Sequence, residues 1–358
     1  MGTRAATASR SQAPPTDYAE LKRRIREAGL LGLQPWRSGL GIATNALLLA
    51  ALLLCVVRFH QPWQLALDAV GLGLMSTQLG FQVHDASHHQ LFERAWKNRL
   101  VGFLSANVLV GISFAWWVDE HIRHHANPNH MDLDPDIVNM AIAYSTGQAL
   151  GRPTLLRLIA KYQAFLFFPL ICFTAWIMHA QAVGYVVRRR FRGRWLEAAA
   201  LAVHGVLYVG LLLFLLGPWS ALLVIAIQKA TTGIYVALVI APNHQGMLQV
   251  DDNVELDLLR KQVLTSRNIR SNWLTDLCYG SLNLQIEHHL FPRMTRNNLP
   301  RARAIVRQFC EERGVPYHET SVPQAVRELI QFLHQVGVPL RDPLPADGRA
   351  RGAGRVPA

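Results

Sequence analysis

Histidine is the residue that organises this sequence: 15 are present in 358 residues, and most fall in clusters. The first reads His84-Asp85-Ala86-Ser87-His88-His89. The second reads His121-Ile122-Arg123-His124-His125, with His130 nearby. The third is Gln285-Ile286-Glu287-His288-His289, and His244 stands in Pro242-Asn243-His244-Gln245-Gly246. Residues three and four apart share one face of a helix. His84 is thus set to act with His88, one turn on, or with His89, and His121 shares a face with both His124 and His125. Adjacent histidines diverge by about 100°, so a His-His pair can serve two metal ions side by side.

Imidazole suits zinc, copper, iron and nickel. The clustered histidines far exceed the four ligands of a structural zinc site, whereas two five- or six-coordinate irons could use them. Neutral imidazoles leave such a centre strongly cationic. Asp85, Asp119, Glu120 and Glu287 adjoin the clusters, and they are expected to offset that charge and orient imidazole N–H groups. The Glu-x-x-His pairs of helix-bundle di-iron proteins are absent, as is the His-Glu-x-x-His of zinc proteases. His60, His179, His204, His318 and His334 stand alone and read as structural, with His130 intermediate. Trp116-Trp117 reads as an interfacial anchor.

These clusters need elements to hold them. The chain is 51% hydrophobic and 17% charged, with runs near the 20 residues that a spanning helix needs: 40–57, 65–81, 100–118, 162–180, 196–216 and 219–241. Gly217-Pro218 supplies a break between the last two. For the clusters to share one side of a bilayer, 100–118 cannot be a full crossing and is expected to be interfacial or re-entrant. The same parity puts 162–180 in the interface and makes the last two runs a hairpin. The expected fold is all-α and integral to the membrane. It has four transmembrane helices, interfacial helices and a cytoplasmic His-rich di-iron cap. Amphipathic helices are expected at 300–314 and 322–337.

The formal net charge is +12, and the basic residues flank apolar runs, as in Leu21–Arg26 and Arg188–Arg194. That is the pattern of a cytoplasmic membrane face; no nucleic-acid module is visible. The four cysteines (Cys55, Cys172, Cys278, Cys310) are widely spaced and read as free thiols. Residues 1–17 lack the apolar core of a signal peptide; they and the Pro/Gly/Ala/Arg-rich stretch from about 340 read as disordered. The expected division is a cytoplasmic N-terminal segment (1–35), a membrane domain (36–315) and a cytoplasmic C-terminal helix and tail (316–358).

In order and spacing, His-Asp-Ala-Ser-His-His, His-Ile-Arg-His-His and Gln-Ile-Glu-His-His resemble the three boxes of the membrane fatty acid desaturases over about residues 40–310. Gln285 in place of a first histidine in the third box resembles the front-end branch, including linoleoyl-CoA desaturase-like bacterial members. The resemblance implies iron ligation by His84, His88, His121, His124, His125, His244, His288 and His289. It makes Gln285 a weak ligand or the neighbour of a water, and leaves His89 as an alternative to His88. Asp85, Glu120 and Glu287 would lie just behind the ligands. It further implies two iron ions, O₂ as co-substrate, and insertion of a cis double bond into a fatty acyl chain carried by CoA, acyl carrier protein or lipid. No His-Pro-Gly-Gly haem motif precedes the first apolar run, so an external donor such as ferredoxin or rubredoxin is expected. A multi-pass cell-membrane protein with its His boxes facing the cytoplasm follows. A membrane hydroxylase or ketolase would use the same metals. A His-rich metal transporter is the alternative of another class, although transporters place ligands at mid-membrane.

Overall fold

The computed structural model describes residues 16–138 and 142–341. Fifteen helices occur among them: α1 Asp17–Glu27, α2 Pro35–Arg58, α3 Pro62–Ser87, α4 Ala95–Phe103, α5 Phe114–Ala126, α6 Pro135–Val138, α7 Thr146–Leu150, α8 Thr154–Ile171, α9 Thr174–Arg188, α10 Arg194–His244, α11 Leu258–Leu264, α12 Trp273–Tyr279, α13 Gln285–Leu290, α14 Leu299–Glu312 and α15 Val322–Arg341. The strands are two residues each, β1 Asn268–Ile269 and β2 Glu319–Thr320, paired in parallel. The all-α membrane architecture expected from the sequence is what the chain adopts. The disorder expected at both ends falls outside the described residues, except that Thr16 and Asp17 open α1, and Leu340 and Arg341 close α15.

Among the described residues three helices are long and apolar enough to cross a membrane, α2, α8 and α10; α8 belongs to the run expected in the interface. α2, with its 24 residues, rises about 36 Å, more than a bilayer's hydrocarbon core. Of its side chains only Val56 is buried; Leu47 is 72% exposed. A helix apolar all round and left uncovered by protein is solvated by lipid.

α10 is helical from end to end except at Gly217, whose φ of 73° and ψ of 172° break it before Pro218. Tyr208 Oη donates to Gln228 Oε1 at 3.0 Å across that break, although twenty residues of straight helix would separate them by about 30 Å. α10 is therefore two antiparallel legs, the hairpin that Gly217-Pro218 signals in the sequence. Its second leg packs on α3 closely enough that a Cβ on Gly73 would lie 2.6 Å from Thr231 Cβ.

The other two apolar runs are broken. Run 100–118 passes from α4 through a π-helical turn (Leu104–Val110) to Gly111, then turns into α5; the two pieces are bent by 112°. Gly111 takes φ 86°, and a Cβ there would meet His204 Nε2 at 2.3 Å. Run 162–180 starts earlier than its hydropathy suggests, at Thr154, and divides at Cys172-Phe173 into α8 and α9. The two amphipathic helices form as α14 and α15. α1, α11, α13 and α14 enclose a second core around Leu21, Ile25, Leu259, Leu290 and Phe309. This cap closes over the end of the bundle where α3 and α10 deliver their histidines.

Candidate metal centre

Three helix ends and one short helix converge. α3 ends with His84 and His88 on one face. Ser113 caps α5 by accepting from Trp116 N at 3.0 Å, and α5 carries His121, His124 and His125. His244 is the last residue of α10, and α13 carries Gln285, His288 and His289.

The eight histidines sort into two groups. His84, His88, His121, His125 and His288 offer nitrogens that all lie within 4.8 Å of one another; so do His124, His244 and His289. In the first group the Nε2 atoms face inward. His84 and His288 stand 3.0 Å apart, His125 and His288 3.0 Å, and His121 and His125 3.2 Å. The Nε2 of His88 is buried with no hydrogen-bond partner. The His125 and His289 rings stack at 4.2 Å and join the groups.

In the second group each ring is anchored from behind. His124 Nδ1 faces Asp134 Oδ1 at 3.0 Å, His244 Nδ1 faces the Thr265 carbonyl at 3.0 Å, and His289 Nδ1 faces Gln262 Oε1 at 2.9 Å. With Nδ1–H donated outward, each Nε2 lone pair is turned inward, as in metal sites whose imidazoles have outer-shell partners. His289 Nε2 is buried without a partner. Burial first, then neighbouring imidazoles, hold His288 and His289 well below the ordinary histidine pKa, so both are neutral and available as ligands. Converging imidazoles that leave the Nε2 atoms of His88 and His289 buried without a partner are what a cation between them would satisfy. The donor set therefore fits metal ions, and an all-imidazole set suits iron among others.

The remaining expected residues lie as follows. Gln285 Nε2 is 2.9 Å from His244 Nε2, at the edge of the second group. His89 takes a left-handed φ of 56° and belongs to neither group; it lines an open mouth with Arg293 and Glu93, beside His88. Asp85 lies 3.2 Å from His84 Nδ1 and accepts from Arg296 Nε at 2.7 Å. Glu120 and Asp119 instead pair with Arg123. Glu287, expected beside an imidazole N–H, accepts from Asn268 Nδ2 (2.7 Å) and Tyr317 Oη (2.8 Å). It fixes α13 to β1 rather than orienting a ring. Burial pushes its carboxyl up to about 7 against those two hydrogen bonds. His130 faces Asp252 at 3.3 Å, and His318 faces Glu328 at 3.1 Å.

Sequence reasoning missed Asp134, Asp136 and Gln262. The signal for the first two was Asp134-Pro135-Asp136, which follows the second cluster and folds back onto His124. Nothing local marks Gln262.

A narrow apolar cavity of about 70 Å³ begins at His84 and is walled by Phe81, Val83, Val110, Ile112, Trp117, Met178 and Leu282 among others. Trp117 stacks on His121 at 4.9 Å, so the cavity and the histidines share a wall.

The chain matches the family model described as "Fatty acid desaturase" over residues 61–321. It is 30% identical over 305 residues to the "Acyl-lipid (9-3)-desaturase" of Physcomitrium patens, covering 82% of this chain and 58% of that protein. It is 28% identical to a "Delta(8)-fatty-acid desaturase" of Euglena gracilis, covering 88% of this chain and 78% of that one. It is 27% identical to a "Delta 8-(E)-sphingolipid desaturase" of Emericella nidulans, covering 90% and 62%.

Proposed function

The chain belongs to the fatty acid desaturase family, and from that membership we propose that it is a membrane oxidoreductase that uses O₂ to place a cis double bond in a fatty acyl chain. Two irons are its cofactor in this reading. One is held by His84, His88, His121, His125 and His288, the other by His124, His244 and His289, with Gln285 beside the second as a weak ligand or the neighbour of a water. The observation that carries this reading is the shared wall between the imidazoles and the apolar cavity.

Iron, when bound, would activate O₂, which is the oxidant: it takes up the two hydrogens lost from adjacent carbons, together with two electrons from the donor and two protons, and leaves as two waters. The chain's own residues do the rest. Phe81, Val83, Ile112 and Leu282 give an acyl chain an apolar bed and keep water from it. Trp117 limits how a chain can pass His121. Asp134, Thr265 and Gln262 hold three rings in the tautomer that presents Nε2.

The hairpin supports a cytoplasmic placement of this centre in the cell membrane. Its two legs return to the same side, so the basic run Arg188–Arg194, just before the first leg, and His244, at the end of the second, lie together. A run of arginines marks the cytoplasmic side. A soluble, acidic electron donor such as a ferredoxin or rubredoxin fits the net charge of +12 and the Arg293-lined mouth beside His88. Turnover should then slow as salt screens the attraction.

The test is expression in a host of known fatty acid composition, with double bonds mapped by mass spectrometry. New olefins that vanish in His124→Ala support the reading. A product that gains oxygen instead identifies a hydroxylase on the same scaffold, and a lipid pool identical with and without the protein sinks both.

A further inference from the structure

Lys229 has no part in the chemistry above, yet it is buried in the second leg of α10, at 6% exposure. Its Nζ lies 3.0 Å from His179 Nε2 and 5.1 Å from the centre of the Tyr208 ring. No carboxylate among the described residues lies within ion-pair distance of it. An ammonium placed among apolar helices without an acidic partner is costly, and such residues are retained where they do something.

His179 is itself a wall of the cavity that begins at His84. Its Nδ1 lies 2.6 Å from the Ala175 carbonyl, and its Nε2 lies 3.1 Å from the Val110 carbonyl as well as 3.0 Å from Lys229 Nζ. Followed along α3 from His84 to Ser76, about 12 Å at 1.5 Å per residue, the cavity changes character. Phe81 and Val83 give way to Ser76 and Thr77, with Thr232 and His179 opposite. Gln228 ties this end together, donating to Ser76 Oγ at 2.7 Å and accepting from Tyr208 Oη at 3.0 Å. The inner end is thus closed by side chains whose polar atoms bond to one another and to backbone carbonyls, with Lys229 behind His179.

We propose that the His179–Lys229 pair is a fixed floor that limits how much of an acyl chain passes beyond the metal-side histidines, and so sets the preferred chain length. This rests on the desaturase reading of the site. Each methylene buried against an apolar wall improves binding roughly fourfold. A methyl end pressed on the floor loses that gain and must disturb the contacts of Lys229 with His179 and Tyr208. Chains that end short of the floor are accepted, and longer ones are discriminated against.

The test is a competition among acyl chains of graded length, each offered saturated and with a double bond at carbon 9, using the full chain in membranes, with products and iron content measured together. Lys229→Ala, which lowers the floor, should raise the ratio of longer to shorter olefins by about tenfold. Thr77→Leu, which raises it, should shift the ratio the other way, and it carries the test if Lys229→Ala loses its metal. Length profiles like the wild type's in variants that still make product overturn the floor alone. A wild type that desaturates no chain overturns the desaturase reading, and the floor with it.

Discussion

The Nδ1 of His124 lies 3.0 and 3.1 Å from the two carboxylate oxygens of Asp134, and both side chains are buried. The carboxylate is itself fixed, accepting from Asn129 N at 2.8 Å and Asp136 N at 3.0 Å. A backbone-held anion therefore aims one imidazole at His244 and His289, and the Asp136 carboxylate stands beside it, 3.5 Å from the same His124 nitrogen. Asp134→Asn keeps the shape and removes the charge. We expect it to weaken iron retention by about 10–100-fold, read as iron content after dialysis against graded chelator. Retention equal to wild type would detach Asp134 from the centre.

Glu197, on the first turn of α10, grips the start of α5. It accepts from Asn107 Nδ2 at 3.2 Å, from Ala115 N at 3.1 Å, and from Ser113 Oγ. Ser113 is the cap of the helix that carries three of the eight histidines. Glu197→Ala leaves buried donors without a partner, at about 1–3 kcal/mol each. The variant should lose thermal stability in detergent and iron together. Glu197→Gln, which still accepts from one side, should recover part of both. A variant that loses neither would make the staple dispensable.

Much of this site is legible in the sequence because its signals are local. Helical spacing pairs His84 with His88 or His89 and puts His121 on a face with His124 and His125; the structure gathers His84, His88, His121 and His125 and places His124 in the neighbouring group. Gly217-Pro218 marks the hairpin for the same reason. What is not legible is long-range. Asp134 reaches His124 through a loop that reverses direction. Gln262 meets His289 from another element, and Thr265 meets His244 with a backbone carbonyl, for which no side chain is a signal. Glu287 misled because adjacency in sequence is not adjacency in space. On α13 it points away from the histidines that follow it, toward Asn268 and Tyr317. The break at Cys172-Phe173 carries neither Gly nor Pro, so hydropathy reads across it. Lys229 stands out as an ammonium inside the apolar run 219–241, but its neighbour His179 is found only when two helices are packed.

Acid should loosen the brace that α15 sets against the end of α10. Arg267 is 1% exposed, donates to the Pro242 carbonyl at 2.7 Å and lies 3.1 Å from Glu328, so it braces the end of α10 next to His244. Burial raises the pKa of Glu328, but hydrogen bonds from Gln324 and His318 and the charge of Arg267 outweigh it, and the net shift is downward. A carboxyl whose folded pKa lies below its unfolded value contributes stability that is present above the unfolded value. That contribution is lost as pH falls through the folded one. The window is therefore below about 4.5, the ordinary value. Glu328→Gln should cost ~2 kcal/mol near neutrality, the low side of a broken buried pair because Glu328 is 23% exposed. It should also flatten the acid limb of a thermal-stability profile. A variant with the wild-type acid limb would assign that limb to other carboxylates.

The two histidine groups should lose metal unequally. The first has five imidazoles, so one can be removed and four remain; the second has three, with Gln285 at its edge. His289→Ala leaves the second group with two, too few to compete with water and buffer. His288→Ala still leaves the first with as many as a closed structural zinc site uses. Iron content should then fall from about two per chain to about one in His289→Ala and by less in His288→Ala. Full removal by chelation should lower the melting temperature, because metal bound only to the folded state stabilises it by mass action. Iron content paired with Mössbauer spectra separates the two populations. Equal loss in the two variants would mean that the stacked rings of His125 and His289, 4.2 Å apart, couple the groups so tightly that neither ion stays without the other.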